Sequence, residues 1–215
     1  MTEKFMNKHS LPTIANLNLN IDLDKLRYET DKLAEKFVDV RSANPMLCDN
    51  HMELVKSVYD NFEQINLTTP SEILPHTTSI KERLRRREEH LYNVPTEDYT
   101  GSYFEQIVTQ CKSPASRIRI TKLAPGKSVP FHVDYDVSYG VRCIVPIYGD
   151  KNVINLFKRD NKIEAYNLKN GVANFLNIGY THGVVNLSKQ PRIALMFTLD
   201  GTDDLLSIVG ENTQP

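Results

Sequence analysis

A mainly β fold, an antiparallel barrel or jelly roll with α-helices outside it, is the class this 215-residue sequence predicts. Two textures point to it. Up to about residue 100 the apolar residues recur at helical spacing, and after residue 115 they alternate with a period of 2. The alternating runs are also short and evenly separated by turn residues, a spacing that suits a closed barrel or a pair of stacked sheets.

The helical texture comes first. Leu23, Leu26, Leu33, Phe37 and Val40 form an apolar stripe that predicts a helix from Asp22 to Ala43, with Asp22 as its cap and Asp24 in the first turn. Asn44-Pro45 ends it, because the residue before a proline is pushed out of the helical region. A second helix is expected from Asn50, with Glu53 as a capping-box partner and Met52, Val55, Tyr59 and Phe62 on its apolar face. A third is expected from Ser79 to Tyr92, and it is very polar. Its basic run, Arg83-Leu84-Arg85-Arg86-Arg87, has no interleaved aromatics and runs straight into Glu88-Glu89. That pattern reads as a solvated helix face with pairs such as Arg85 to Glu89, in preference to a phosphate-binding surface. Pro70, Pro75 and Pro95 fall in the connections.

Arg117-Ile118-Arg119-Ile120-Thr121 opens the β texture with clean alternation. Strands are then expected at Val141–Ile147, Val153–Phe157, Glu164–Leu168, Val172–Leu176, Val184–Leu187 and Ile193–Leu199. Pro125-Gly126, Gly149-Asp150, Asp160-Asn161, Asn170-Gly171 and Gly179 supply the turns. The organisation expected is one domain over 1–215, with a helical part at 1–100, a jelly-roll core at 101–205 and a tail at 206–215.

Composition narrows the function. With 40% hydrophobic and 25% charged residues the chain is an ordinary globular protein, and a net charge of -1 gives no drive toward nucleic acid or an anionic membrane. No apolar stretch is long enough to span a bilayer, and the start Met1-Thr2-Glu3-Lys4-Phe5-Met6 lacks the apolar core of a signal peptide, so a cytoplasmic location is expected. Cys48, Cys111 and Cys143 show no C-x-x-C spacing, which argues against a disulfide framework and a structural zinc site.

The chemistry concentrates in Val129-Pro130-Phe131-His132-Val133-Asp134-Tyr135-Asp136, followed by His182 and Arg192. On a strand His132 and Asp134 leave the same face and can grip one metal ion, and His182 from a distant strand would complete a face of two histidines and a carboxylate. Three coordination positions stay open on such a face, as a non-haem Fe(II) oxygenase requires. Asp136 is an alternative acid, although His132 and Asp134 are the nearer pair. About one His-x-acid match is expected by chance in a chain with 6 His and 27 acidic residues, so the motif gains its weight from its surroundings. Arg192 opens an apolar strand, and if it faces inward it needs an anionic partner; a dicarboxylate would supply one.

Those surroundings carry a resemblance. Arg117-Ile118-Arg119, Ala124-Pro125-Gly126, Val129 to Asp134, Val141 to Ile147, Gly171, His182 to Ser188 and Pro191-Arg192-Ile193 resemble, in order and spacing, the aspartyl/asparaginyl β-hydroxylase family of Fe(II)- and 2-oxoglutarate-dependent oxygenases. That family includes bacterial free-proline hydroxylases. The resemblance covers about 80 residues and leaves residues 1 to 100 without a diagnostic motif. It implies a double-stranded β-helix, the cupin-like jelly roll, with iron held by His132, Asp134 and His182. It further implies that Arg192 pairs with the distal carboxylate of 2-oxoglutarate, that Thr121 adds a hydroxyl contact and that Arg142 is a second arginine touching the cosubstrate. The activity implied is O2-dependent hydroxylation of a C–H bond of an amino acid, free or within a peptide or protein. Tyr135, Asp136, Tyr139 and Tyr180 suit a pocket rim. Two other readings remain: a cupin-like isomerase or hydrolase that does not use 2-oxoglutarate, and a non-catalytic binding module.

Overall fold

A computed structural model of the chain describes residues 6–46, 62–206 and 208. Five strands lie in the first half: β1 (Ile14–Asn16), β2 (Val38–Asp39), β3 (Phe62–Asn66), β4 (Thr68–Thr69) and β5 (Val94–Pro95). Eight follow: β6 (Ala115–Leu123), β7 (Ser128–His132), β8 (Val141–Tyr148), β9 (Val153–Arg159), β10 (Lys162–Tyr166), β11 (Asn174–Leu176), β12 (Thr181–Asn186) and β13 (Arg192–Leu199). A seven-stranded sheet has the order β1-β11-β8-β13-β6-β3-β2, and a four-stranded sheet has the order β10-β9-β12-β7. Every pairing is antiparallel. The last eight strands therefore divide as β11-β8-β13-β6 against β10-β9-β12-β7, which is the strand order of a jelly roll. The mainly β expectation holds.

Period 2 explains what the larger sheet does with its two faces. From β8, Val141, Cys143, Val145 and Ile147 join Leu195 and Phe197 of β13 and Ile118 and Ile120 of β6 in one core, which also takes Leu26, Phe104 and Ile107 from the outer helices. The alternate residues face the smaller sheet, where Ile144 and Ala194 pack with Phe157, Leu176 and Ile178. Arg117, Arg119 and Thr121 of β6, Arg142 of β8 and Arg192 of β13 share that second face by alternation, and all are buried or nearly so. One face of the sheet is thus a dry core and the other holds arginines.

The first half departs from its helical expectation. A helix runs Leu23–Asp31, and Asp22 caps it by accepting from the backbone N–H groups of Asp24 and Lys25. It does not continue to Ala43. A 3₁₀ turn at Ala34–Lys36 leads into β2, whose Val38 and Asp39 pair with Gln64 and Glu63, and a short helix, Val40–Ala43, follows. Sheet-edge pairing overrides the helical stripe here. The helix expected from Asn50 lies outside the described residues, apart from Phe62, which opens β3. β1, β2 and β3 make the first half part of the larger sheet.

The third expected helix is two helices. Ser79 caps Ile80–Arg85, and Arg87 at φ 53 breaks the chain before Glu88–Leu91. The break redirects the basic run. Arg85 pairs with Glu82 at 2.6 Å instead of Glu89, and Arg86 and Arg87 pair with Glu72 and Asp200. Arg83 is buried, donates to the carbonyls of Pro75 and Thr78, and pairs with Glu88 at 3.1 Å. Glu89, released from the helix face, turns inward.

The expected strands at β8 and β13 agree to within one residue, and other boundaries shift by up to three. β10 begins at Lys162 instead of Glu164, and β12 begins at Thr181 instead of Val184. The second shift matters, because it places His182 inside a strand paired on both sides. Among the described residues no helix is long and apolar enough to cross a membrane. Cys111 and Cys143 are free thiols, and Cys48 lies outside the described residues.

Asn186 closes the connection that leads from β12 to β13. Its side-chain NH2 donates to the carbonyls of Leu123, Ala124 and Gln190, and its Oδ1 accepts from the backbone and hydroxyl of Ser188. It is fully buried. Asn186→Ala strands several of these groups away from water, and the expected loss is about 2–4 kcal/mol of stability, read as a lowered urea midpoint at unchanged slope.

Candidate metal centre

The smaller sheet builds the centre. His182 of β12 lies directly across from His132 of β7, and their rings are 4.3 Å apart between centroids. On the other side His182 faces Phe157 of β9, which stacks on the imidazole at 5.7 Å. β7 ends at His132, so Asp134 does not reach the site as a strand residue. Its backbone N–H instead donates to the carbonyl of Ile178 at 3.2 Å, which ties the segment after β7 to the chain leading into β12.

The three side chains converge. Oδ1 of Asp134 is 3.5 Å from Nε2 of His132, and Oδ2 is 4.0 Å from Nε2 of His182. One ligand atom from each of the three lies within 4.8 Å of the others, the spread expected of atoms arranged about one cation. Both histidines are oriented from behind: Nδ1 of His132 is 2.8 Å from the carbonyl of Pro130, and Nδ1 of His182 is 3.1 Å from the carbonyl of Tyr180. A carbonyl only accepts, so each Nδ1 carries the hydrogen and each Nε2 presents a lone pair to the centre. Burial pushes His182 down to about 4, with Asp134 opposing that shift and His132 adding to it. His182 is thus neutral at physiological pH, the form in which an imidazole can bind a metal.

Asp136 points elsewhere. Its carboxylate accepts from the backbone of Lys8 at 3.1 Å and of Ser138 at 3.1 Å. Tyr135 is half-buried beside Arg142, Tyr139 contacts Glu89 and His90, and Tyr180 packs against His9 and Lys8. Tyr135 and Tyr139 nevertheless line the cavity beside the triad, whereas Tyr180 and Asp136 do not.

A cavity of about 490 Å³ runs between the sheets, and the triad, Arg192 and Arg142 all line it. Arg192 is 5% exposed, and among the described residues no carboxylate lies within ion-pair distance of it. Its hydrogen-bond partner is the hydroxyl of Thr121, at 3.5 Å from Nη1; Thr121 in turn donates to the carbonyl of Ala194. Burial lowers Arg192 to about 10, so it stays a cation at neutral pH.

Arg142 is not beside Arg192. It pairs across from Thr198, whereas Arg192 pairs with Leu123, six residues away along β13 and roughly 20 Å at the rise of a strand. Its Nη2 reaches the Tyr135 hydroxyl at 2.8 Å, Glu89 at 3.2 Å and Asp134 at 3.9 Å. Glu89 was not singled out in the sequence. Burial alone would raise its carboxyl, but Arg142, Arg117 and Arg119 outweigh burial and, with the Thr198 hydroxyl, hold it down at about 2. Its only signal in the sequence was a charge at the end of a basic run that solvent could equally have accommodated.

The sequence matches no known protein family and no curated protein. Among solved structures it is similar to a cupin domain from Bordetella pertussis Tohama I, at 17% identity and a TM-score of 0.33, over 43% of this chain and 88% of that one. It is also similar to a predicted oxalate decarboxylase from Thermotoga maritima, at 16% identity and a TM-score of 0.32, over 64% and 79% of the two chains. An oxalate oxidase in complex with glycolate matches at 16% identity and a TM-score of 0.33, over 40% of this chain and 41% of that one. The jelly roll itself rests on the strand order described above.

Two outcomes follow from this geometry. A Cβ on Gly183 would meet the carbonyl oxygen of Val129 at 2.8 Å, at the irregularity where β12 and β7 shift register beside His182. Gly183→Ala is expected to push β12 away from β7 and weaken Co(II) binding by about tenfold or more with all three ligands present, measured by calorimetry. The second outcome concerns acid. The unfolded chain protonates His182 near 6.5 and the folded chain only near 4, so the unfolded state binds more protons in between and stability falls as pH drops through that window. Glu89 adds a separate loss from about 4.5 down to about 2. Urea unfolding of metal-free protein should show both arms, and His182→Ala should flatten only the upper one.

Proposed function

We propose that the protein is an Fe(II)- and 2-oxoglutarate-dependent dioxygenase that hydroxylates a C–H bond of an amino acid, free or within a peptide or protein. The observation that carries this reading is Arg192, a buried cation that has no counter-ion among the described residues and lines the same cavity as the triad. An unpaired charge in that position costs several kcal/mol unless a ligand offsets it. A dicarboxylate cosubstrate has the charge and the length to do so. The resemblance of residues 117 to 199 to the aspartyl/asparaginyl β-hydroxylase family supports the same conclusion.

Two imidazoles and a carboxylate are the donor set that suits non-haem Fe(II), and they leave one side of the ion open. When bound, the iron would supply O2 activation coupled to the oxidative decarboxylation of 2-oxoglutarate. The chain supplies position. The carbonyls of Pro130 and Tyr180 fix both imidazoles with Nε2 inward. Arg192 would hold the distal carboxylate of the cosubstrate in a fork, with Thr121 fixing the guanidinium and the carboxylate together. Phe157, Ile144 and Ile178 give the cavity apolar walls that limit water near the reacting atoms.

The test is turnover of 2-oxoglutarate to succinate by iron-loaded protein. Arg192→Ala should raise the KM for 2-oxoglutarate at least tenfold, the loss expected when one partner of a buried charge pair is removed. Iron-dependent activity with no succinate, or a KM indifferent to Arg192, would sink the cosubstrate assignment and leave a jelly-roll metalloenzyme of another kind.

A further inference from the structure

The far end of the cavity carries more positive charge than its surroundings balance. Arg117 and Arg119 of β6 and Arg142 of β8 converge on Glu89. The carboxylate serves them unequally. It is 3.2 Å from Arg142, which also holds the Tyr135 hydroxyl, but 3.9 Å from Arg117 and 4.0 Å from Arg119. Asp134 lies 3.9 Å from Arg142, and its charge belongs to the metal centre. Arg142 is therefore paired, and two guanidiniums are left facing the cavity without a close anion among the described residues.

Arg117 shows the deficit atom by atom. It is 7% exposed, and its Nε and Nη1 are buried with no hydrogen-bond partner. Its guanidinium lies 3.6 Å from the centre of the Tyr92 ring, and the Tyr92 hydroxyl donates to Asn44. The ring offers its face, and its hydroxyl is a neutral partner that brings no charge. Arg117 also sits at φ 50, a left-handed conformation that a non-glycine residue adopts at some cost. For Arg119, burial and the neighbouring Arg142 and Arg117 lower the guanidinium to about 9; its Nη1 donates only to the carbonyl of Arg117, at 3.4 Å. A strained, partly unsatisfied fork at Arg117 beside a second arginine with no close anion is a poor structural feature and a good receptor.

We infer that Arg117 and Arg119 bind the head of the substrate, and that this head is a compact group carrying two negative charges: a phosphate monoester or phosphonate, or two neighbouring carboxylates. Two uncompensated forks match two charges. The assignment rests on the dioxygenase reading for the word substrate, but its geometry is independent of Arg192. Arg117 is four residues from Thr121 on β6, about 13 Å along the strand, so one end of the cavity takes the cosubstrate and the other takes the substrate head.

Calorimetry on the metal-free full chain tests this with inorganic phosphate, malonate and acetate as probes. At least one of the two dianions should bind with a Kd of about 1 mM or below, and acetate at least tenfold more weakly. The stronger of phosphate and malonate identifies the head. Arg119→Gln should weaken the dianion at least tenfold and Arg192→Ala should leave it unchanged. Arg117→Lys, which keeps the charge and removes the fork, carries the test if Arg119→Gln does not fold by circular dichroism. No dianion binding, equal binding of acetate, or binding that follows Arg192 and ignores both β6 arginines overturns the inference. Binding of 2-oxoglutarate, titrated in the same variants, reports separately: it should depend on Arg192 and not on Arg119, and its failure would count against the dioxygenase reading alone.

Discussion

The register between β12 and β7 is the constraint on which the site depends. His182 sits across from His132 because β12 starts at Thr181 and pairs with β9 on one side and β7 on the other. A slip of β12 by one residue would turn His182 to the opposite face and away from His132. Gly183 makes the register possible, since the backbone of β7 comes too close at that point for any side chain. Asp134 is then delivered by a single backbone hydrogen bond to Ile178. The placing of the two imidazoles is a consequence of strand pairing, and that of the carboxylate depends on the segment after β7.

The larger sheet contributes the opposite property. One face is an apolar core shared with the helices, which provides the bulk of the burial that holds the fold together. The other face presents Arg117, Arg119, Arg142 and Arg192 to the cavity. Burying four guanidiniums with one inward-turned carboxylate is unfavourable for the folded protein taken alone. Anionic ligands at the two ends of the cavity would offset that cost, and they would add stability through binding to the native state. The site carries strain and unpaired charge that such ligands would relieve, while Asn186, Glu89 and the apolar core hold the frame around it.

Legibility in the sequence followed the strength of local periodicity. Seven of the eight jelly-roll strands were readable because apolar alternation and turn residues coincide from Arg117 onward; β7, Ser128–His132, shows no such alternating run. The spacing of His132, Asp134 and His182 picked out three side chains that the fold brings together, and the apolar run after Arg192 marked that arginine as inward. The first half was harder. The stripe from Leu23 to Val40 has helical period, yet Val38 and Asp39 are claimed by the edge of the sheet. Nothing local encodes that claim. The basic run looked like a solvated helix, and the left-handed Arg87 that breaks it has no side-chain signature. Glu89 could not be read as a buried counter-ion for the same reason. Its partners Arg117, Arg119 and Arg142 lie 28 to 53 residues further along and meet it only through the sheet.

The central claim is that one cavity holds a ferrous ion on His132, Asp134 and His182 and a dicarboxylate against Arg192. The most direct measurement is the anaerobic visible spectrum of metal-free protein titrated first with Fe(II) and then with 2-oxoglutarate. The account predicts a weak charge-transfer band that needs both additions, is absent in His182→Ala, and demands more 2-oxoglutarate in Arg192→Ala. Iron binding with a spectrum that 2-oxoglutarate leaves untouched would contradict it.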